Sequence, residues 1–104
     1  MPIYELTEAA DADLQAIARY TISEWGIEQA GRYEALLEKH FRAIARQKAR
    51  TRMFLKRRPE LLVSRVERHY VFHLVREDQC PLILAVLHEN MDLMSRLRSR
   101  LDPG

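Results

Sequence analysis

Residues 68–92, RHYVFHLVREDQCPLILAVLHENMD, decide the fold. Val71, Phe72, Leu74 and Val75 make a β-prone run that breaks at Arg76, Glu77, Asp78, Gln79, Cys80 and Pro81 and resumes in residues 82–87, LILAVL. Two apolar runs split by charged turn residues and a proline predict a β-hairpin. The second run has no charge over six residues. That predicts a strand buried on both faces and central in its sheet. His88, Glu89, Asn90 and Asp92 follow directly. A strand end that delivers several polar side chains to solvent is a natural place for a site.

Working outward, residues 2–6 (PIYEL) read as a first strand with Tyr4 and Leu6 on one face. Thr7 is a suitable N-cap, and Glu8, Asp11 and Asp13 favour the positive end of the helix that follows. Leu14, Ile17, Thr21 and Trp25 recur at helical spacing up to about Glu24, and Gly26 is placed to end the helix. A second helix is expected from about Glu28 to Gln47, with Ala30, Tyr33, Leu37, Phe41 and Ile44 as its apolar stripe. So short a connection makes the pair an antiparallel hairpin, whose stripes must be buried against each other and against a sheet. His40, beside the stripe, reads as a structural histidine.

Residues 46–58 (RQKARTRMFLKRR) hold seven basic residues and no acid around Met53, Phe54 and Leu55. The first reading is a solvated linker and short strand whose apolar trio enters the core. The second is a direct grip on nucleic-acid phosphates between Arg46 and Arg58, with Phe54 stacking on a base. Residues 61–66 (LLVSRV) are another expected strand. His69 and His73 share a face with Val71 and are expected on the solvent side of the sheet. Met94, Leu97 and Leu101 define a short amphipathic C-terminal helix with Arg96 and Arg100 on another face, and Asp102, Pro103 and Gly104 end it.

The 104 residues, 47% of them apolar, suit one domain spanning 1–104. No run approaches a membrane span and no leader is evident, so a cytoplasmic location away from membranes is expected. The single cysteine, Cys80, leaves no internal disulfide and no cysteine-cluster metal site. The net charge of +2 divides into −4 up to Arg42 and +6 from Ala43 onward, which suits a partner that is acidic where it meets the second part. No glycine-rich phosphate loop, Ser-His-Asp arrangement or zinc spacing occurs.

The order of elements and the residues together resemble the ParE branch of the ParE/RelE superfamily of type II toxins. The resemblance is carried by Tyr4, Leu6, Thr7, Ala10, Asp13, Leu14, Ile17 and Tyr20 in YELTEAADADLQAIARY, by Trp25 and Gly26, by Ala30 and Tyr33, and by RHYVFH and LHENMD. It implies an α+β fold: an N-terminal strand, an antiparallel helical hairpin packed on a twisted, mainly antiparallel sheet of about four strands, and a short C-terminal helix. It also implies a toxin that inhibits DNA gyrase and so blocks replication, neutralised by a ParD-like antitoxin whose C-terminal segment wraps it. The chain departs from the pattern in three places. Gln47 to Thr51 stand where a proline and a glycine are usual, His73 replaces a tyrosine, and Leu62 replaces an arginine.

The alternative is the RelE branch, which cleaves mRNA on the ribosome and needs cations on the phosphorane and a proton donor for the leaving oxygen. Arg65 matches the place of a RelE arginine, but Glu89, Asn90 and Met91 stand where a further arginine is usual, and the tail from Leu93 has no tyrosine or histidine. A third reading is an inactive homologue that only binds antitoxin. The expected non-enzymatic toxin has no catalytic residue, cofactor or metal. Its candidates for target contact are Arg65, Arg68, His88, Asp92, Arg96 and Arg100, the antitoxin contacts are unassigned, and a homodimer is left open.

Overall fold

The computed structural model describes residues 2–101, so the expected terminator at Asp102, Pro103 and Gly104 lies outside the described residues. The chain runs β1 (Glu5–Leu6), α1 (Glu8–Trp25), α2 (Ile27–Ala45), β2 (Arg52–Leu55), β3 (Arg58–Val66), β4 (His69–Leu74), β5 (Leu82–His88) and α3 (Leu93–Leu101). Thr7 caps α1 through Oγ1, which accepts the Ala10 amide at 3.0 Å. Gly26 alone separates the two long helices. At φ 89° and ψ 167° it occupies a region essentially reserved for glycine, which is why the chain reverses here without a longer loop. α2 stops through Lys48 N–H to Ala43 O at 2.8 Å and Gln47 N–H to Ile44 O at 3.0 Å. Gln47 takes the left-handed conformation, φ 58°, at the place where a glycine is usual.

The five strands form one sheet in the order β1-β5-β4-β3-β2. β1 is parallel to β5, and the other pairs are antiparallel. The sheet is therefore mixed and has one strand more than the four or so expected. β5 is central, as its uncharged run requires, and Ile83 to Leu87 are all buried. Its two faces are covered differently. Val66, Val71, Ile83 and Val86 meet Ala10, Leu37, Phe41 and Ile44 of the helical hairpin. Leu61, Val63, Phe72, Leu84 and Leu87 meet Leu97, with Leu93 and Leu101 beside it, from α3. A register shift between β4 and β5 leaves Leu84 as the extra residue, so Ile83 and Val86 can share a face.

The shift frees backbone groups that side chains then satisfy. Asp13 Oδ2 accepts the Val86 amide at 2.9 Å, and Arg100 Nη1 donates to Leu84 O at 2.8 Å. Arg100 also forks onto Asp13, with Nη1–Oδ2 at 2.8 Å and Nη2–Oδ1 at 2.9 Å, both side chains being only 15% exposed. This pair ties the first and last helices to the central strand. It raises the Arg100 guanidinium's affinity for its proton through the hydrogen bonds that Arg100 donates to Asp13.

Two expectations change. His69 and His73 do share a face, but it is the face under the helical hairpin: His73 is 4% exposed, and His69 meets Tyr33 of α2. The sheet's polar residues are drawn there because α2 brings Tyr33 and His40, and His40 Nε2 lies 2.8 Å from Ser64 Oγ. Of the apolar trio in residues 46–58, only Phe54 and Leu55 turn inward, and Ala49 packs against the core under the helices. Phe54 stacks edge-on against Phe72 with centroids 5.0 Å apart, whereas Met53 is half exposed. Phe54 is thus a core contact and not a platform for a base.

Candidate functional site

The end of the sheet where β3 turns into β4 and β5 runs into α3 gathers most of the polar chemistry. Val66 pairs with His69, leaving Glu67 and Arg68 as a two-residue turn, with Glu67 left-handed at φ 53°. His69 in turn faces His88 across the β4–β5 pair, and Glu89 N–H reaches Arg68 O at 2.8 Å, extending the ladder by one bond. The alternation of strand side chains then divides the site into two faces.

On the α3 face, Arg65 lies opposite Tyr70. Its guanidinium sits 5.3 Å from the Tyr70 ring centroid and donates to the Tyr70 hydroxyl at 3.1 Å, to Glu67 O at 2.8 Å and to the Glu89 carboxylate. Arg68 Nη1 stands 3.8 Å from the same carboxylate and is far more exposed. Arg65 is therefore a held, half-exposed cation whose charge Glu89 already offsets. Arg68 is the more exposed cation beside it, with Glu89 as its one carboxylate partner.

On the hairpin face, the Tyr33 hydroxyl and His69 Nδ1 share a hydrogen bond of 2.6 Å, and the hydroxyl lies 3.3 Å from Val66 O. The His69 and His88 rings meet edge to face at 5.3 Å. His88 Nδ1 accepts the Asn90 amide at 3.1 Å, which leaves its Nε2 as the outward N–H of the neutral ring. Burial, reinforced by His88, pushes His69 down to about 4, although Asp13 and Glu89 oppose the shift. Burial pushes the Tyr33 hydroxyl up to about 12, with Glu67 adding to it. Both groups stay neutral at pH 7. They form the floor of an open groove of about 1050 Å³, walled by Tyr20 and Trp25 on one side and Arg68 and Met91 on the other. Tyr20 is 65% exposed, Trp25 71% and the adjacent Ile27 75%.

The six residues expected at a target surface separate here. Arg65, Arg68 and His88 are brought together at the sheet end. Arg96 is exposed on α3. Asp92 is a helix cap: its Oδ1 accepts the Ser95 amide at 3.2 Å and its carbonyl accepts the Arg96 amide. Arg100 is enclosed by Asp13 and Leu84 O, so it serves the fold and offers no guanidinium to a partner. In the sequence Tyr33 and Trp25 read as stripe residues and Asp13 as a helix-dipole residue. The hydroxyl of Tyr33 and the size of Trp25 were the available signals. Nothing local marks Asp13, whose partner lies 87 positions away. Among the described residues no three His, Cys, Asp or Glu side chains are grouped to hold a metal ion, and no helix is long and apolar enough to cross a membrane.

Residues 4–93 match the family described as the ParE toxin of the type II toxin-antitoxin system parDE. Toxin ParE of Escherichia coli is 45% identical over 101 residues, which cover 97% of this chain and 98% of that protein. Among solved structures, one described as the chromosomal ParDE TA system from P. aeruginosa superposes with a TM-score of 0.69 over 82% of this chain and 92% of its own. Its sequence is 18% identical, so it speaks for the fold alone. With the α+β architecture and a match across nearly its whole length, the chain belongs to the ParE toxin family.

Proposed function

We propose that this toxin arrests growth by binding and inhibiting DNA gyrase in the cytoplasm, without catalysis of its own, and that a ParD-like antitoxin neutralises it. Membership of the ParE family carries the toxin reading. The state of Arg65 supports inhibition by binding over RNA cleavage. A ribonuclease needs an uncompensated cation against the phosphorane, whereas Arg65 is offset by Glu89 and occupied by Tyr70 and Glu67 O. The neutral, mutually buried Tyr33 and His69 are likewise poorly matched to proton transfer near pH 7.

The groove favours a folded-on-binding antitoxin segment. Tyr20 and Trp25 line it and are exposed, and aromatic side chains of this kind are usual anchors of an interface. Arg65, Arg68, His88 and Arg96 are the proposed target contacts.

The test is a supercoiling assay with purified gyrase and relaxed plasmid, run beside a coupled translation reaction. Loss of supercoiling or accumulation of cleaved plasmid, with translation intact, is the expected result. Arrested translation with cut mRNA and normal supercoiling would move the activity to RNA. No effect in either, and no growth defect when the chain is expressed without antitoxin, would leave only antitoxin binding.

A further inference from the structure

The basic residues of this chain are of two kinds. Arg42, Arg58, Arg65, Arg68, Arg76 and Arg100 each have a carboxylate within 4.0 Å. Among the described residues the other eleven have none: Arg19, Arg32 and Lys39 on the helical hairpin, Arg96 and Arg98 on α3, and a consecutive set of six exposed cations, Arg46, Lys48, Arg50, Arg52, Lys56 and Arg57. These six follow one continuous border, from the end of α2 along β2 to the β2–β3 turn, and β2 is the outer strand of the sheet. Phe54, stacked on Phe72, and the half-buried Leu55 pin that strand. The cations are therefore carried on a fixed edge.

We propose that this border is a binding surface for the phosphate backbone of duplex DNA, engaged without regard to sequence. Four features on the molecule support it. The charge is uncompensated, which is what allows counterions to be released from a polyanion. Arg50 to Lys56 in extended conformation span roughly 20 Å, the length of about six phosphates along one strand at 3.4 Å each. The border offers a single exposed apolar residue, Met53, too little to anchor a protein segment, while the exposed aromatic residues lie at the other end of the molecule. Cations on an outer strand also discourage strand addition by a second protein. The choice of DNA over other polyanions rests on the gyrase reading, in which the toxin works beside DNA.

The experiment is fluorescence anisotropy of a labelled 20-base-pair duplex with the full chain, from 50 to 300 mM salt. The expected binding falls with salt at a log–log slope of roughly −3 to −5. The quadruple variant Arg50→Gln, Arg52→Gln, Lys56→Gln, Arg57→Gln, folded by circular dichroism, should bind at least tenfold more weakly at 100 mM salt. A variant with Arg19→Gln, Arg32→Gln and Lys39→Gln, on the helices, should bind as the parent does. Absence of binding at 50 mM salt, equal weakening in both variants, or preference for a labelled poly-glutamate peptide overturns the proposal. Gyrase inhibition without duplex binding overturns it and leaves the gyrase reading standing. Duplex binding lost in the quadruple variant, with supercoiling untouched by the parent chain, supports the surface and overturns the gyrase reading instead.

Discussion

His73 makes this toxin acid-sensitive in a way that one substitution should remove. The ring is 4% exposed on the helix-covered face of the sheet, and its Nδ1 has no hydrogen-bond partner. Burial first, and His40 second, push its pKa down to about 4, against about 6.5 in an unfolded chain. Between those values the unfolded chain takes up a proton that the folded chain refuses, so stability is full above pH 6.5 and is lost as the pH falls toward 4. From pH 7 to pH 5 the loss from this one group comes to about 2 kcal/mol at most, since any water that reaches the ring reduces it. His73→Phe keeps a planar aromatic ring of somewhat larger size, removes the unpaired nitrogen and cannot titrate. Urea unfolding followed by circular dichroism at pH 7 and pH 5 should therefore show the parent losing about 2 kcal/mol more than the variant. With a slope of about 1–3 kcal/mol per molar urea, that is a midpoint difference of roughly 1 M. His69 titrates in the same window, so the variant should still lose some stability. Equal losses in parent and variant would refute the assignment of the acid sensitivity to His73.

Arg100→Ala should destabilise the fold by about 3 kcal/mol, because it strands Asp13 and Leu84 O at a site only 15% exposed; a cost under 1 kcal/mol in urea unfolding would show that the enclosed pair does not hold α3. Gly26→Ala has open space for its methyl group yet should cost about 1–3 kcal/mol, since the backbone at φ 89° and ψ 167° is hostile to any side chain, and an unchanged melting temperature would contradict this. Trp25→Ala should leave stability within about 0.5 kcal/mol and weaken antitoxin binding by about 2 kcal/mol, roughly thirtyfold. Calorimetric titration with unchanged affinity would remove the groove from the antitoxin interface. Arg65→Ala combined with Arg96→Ala should weaken toxicity in a growth assay while the protein stays folded, and full toxicity would take these two residues off the target surface.

The order of elements was legible because it depends on local chemistry. Thr7 before an amphipathic run, Gly26 between two stripes, and an uncharged run after a charged turn containing Pro81 each report their own neighbourhood. Of the apolar residues whose spacing points inward, Leu37, Phe41, Phe72, Leu84 and Val86 are buried, while Leu14 and Ile17 are only half covered. The site was legible in part for the same reason. His88 and its neighbours follow a strand that had to end, whereas Arg65 meets Tyr70 and Glu89 only through the β3–β4 and β4–β5 registers. A register is set by the whole sheet, so no window of sequence contains it.

The helical hairpin and the inner uncharged strand follow from periodicity, caps and turn residues along the chain, while the α+β class and the family came from the resemblance that the ordered residues carry. The tertiary structure alone decided which polar residues are free to act. Arg100 looks like a surface cation on a short amphipathic helix, and becomes a structural fork when α1 presents Asp13 and the shifted β5 presents Leu84 O to it. His69 and His73 fit a solvent face by spacing, yet His73 is buried and His69 half-covered because they face the helical hairpin. The physical reason is common to both. Spacing along a chain fixes which side chains share a face, but only packing decides whether that face meets water, a neighbouring helix or a partner.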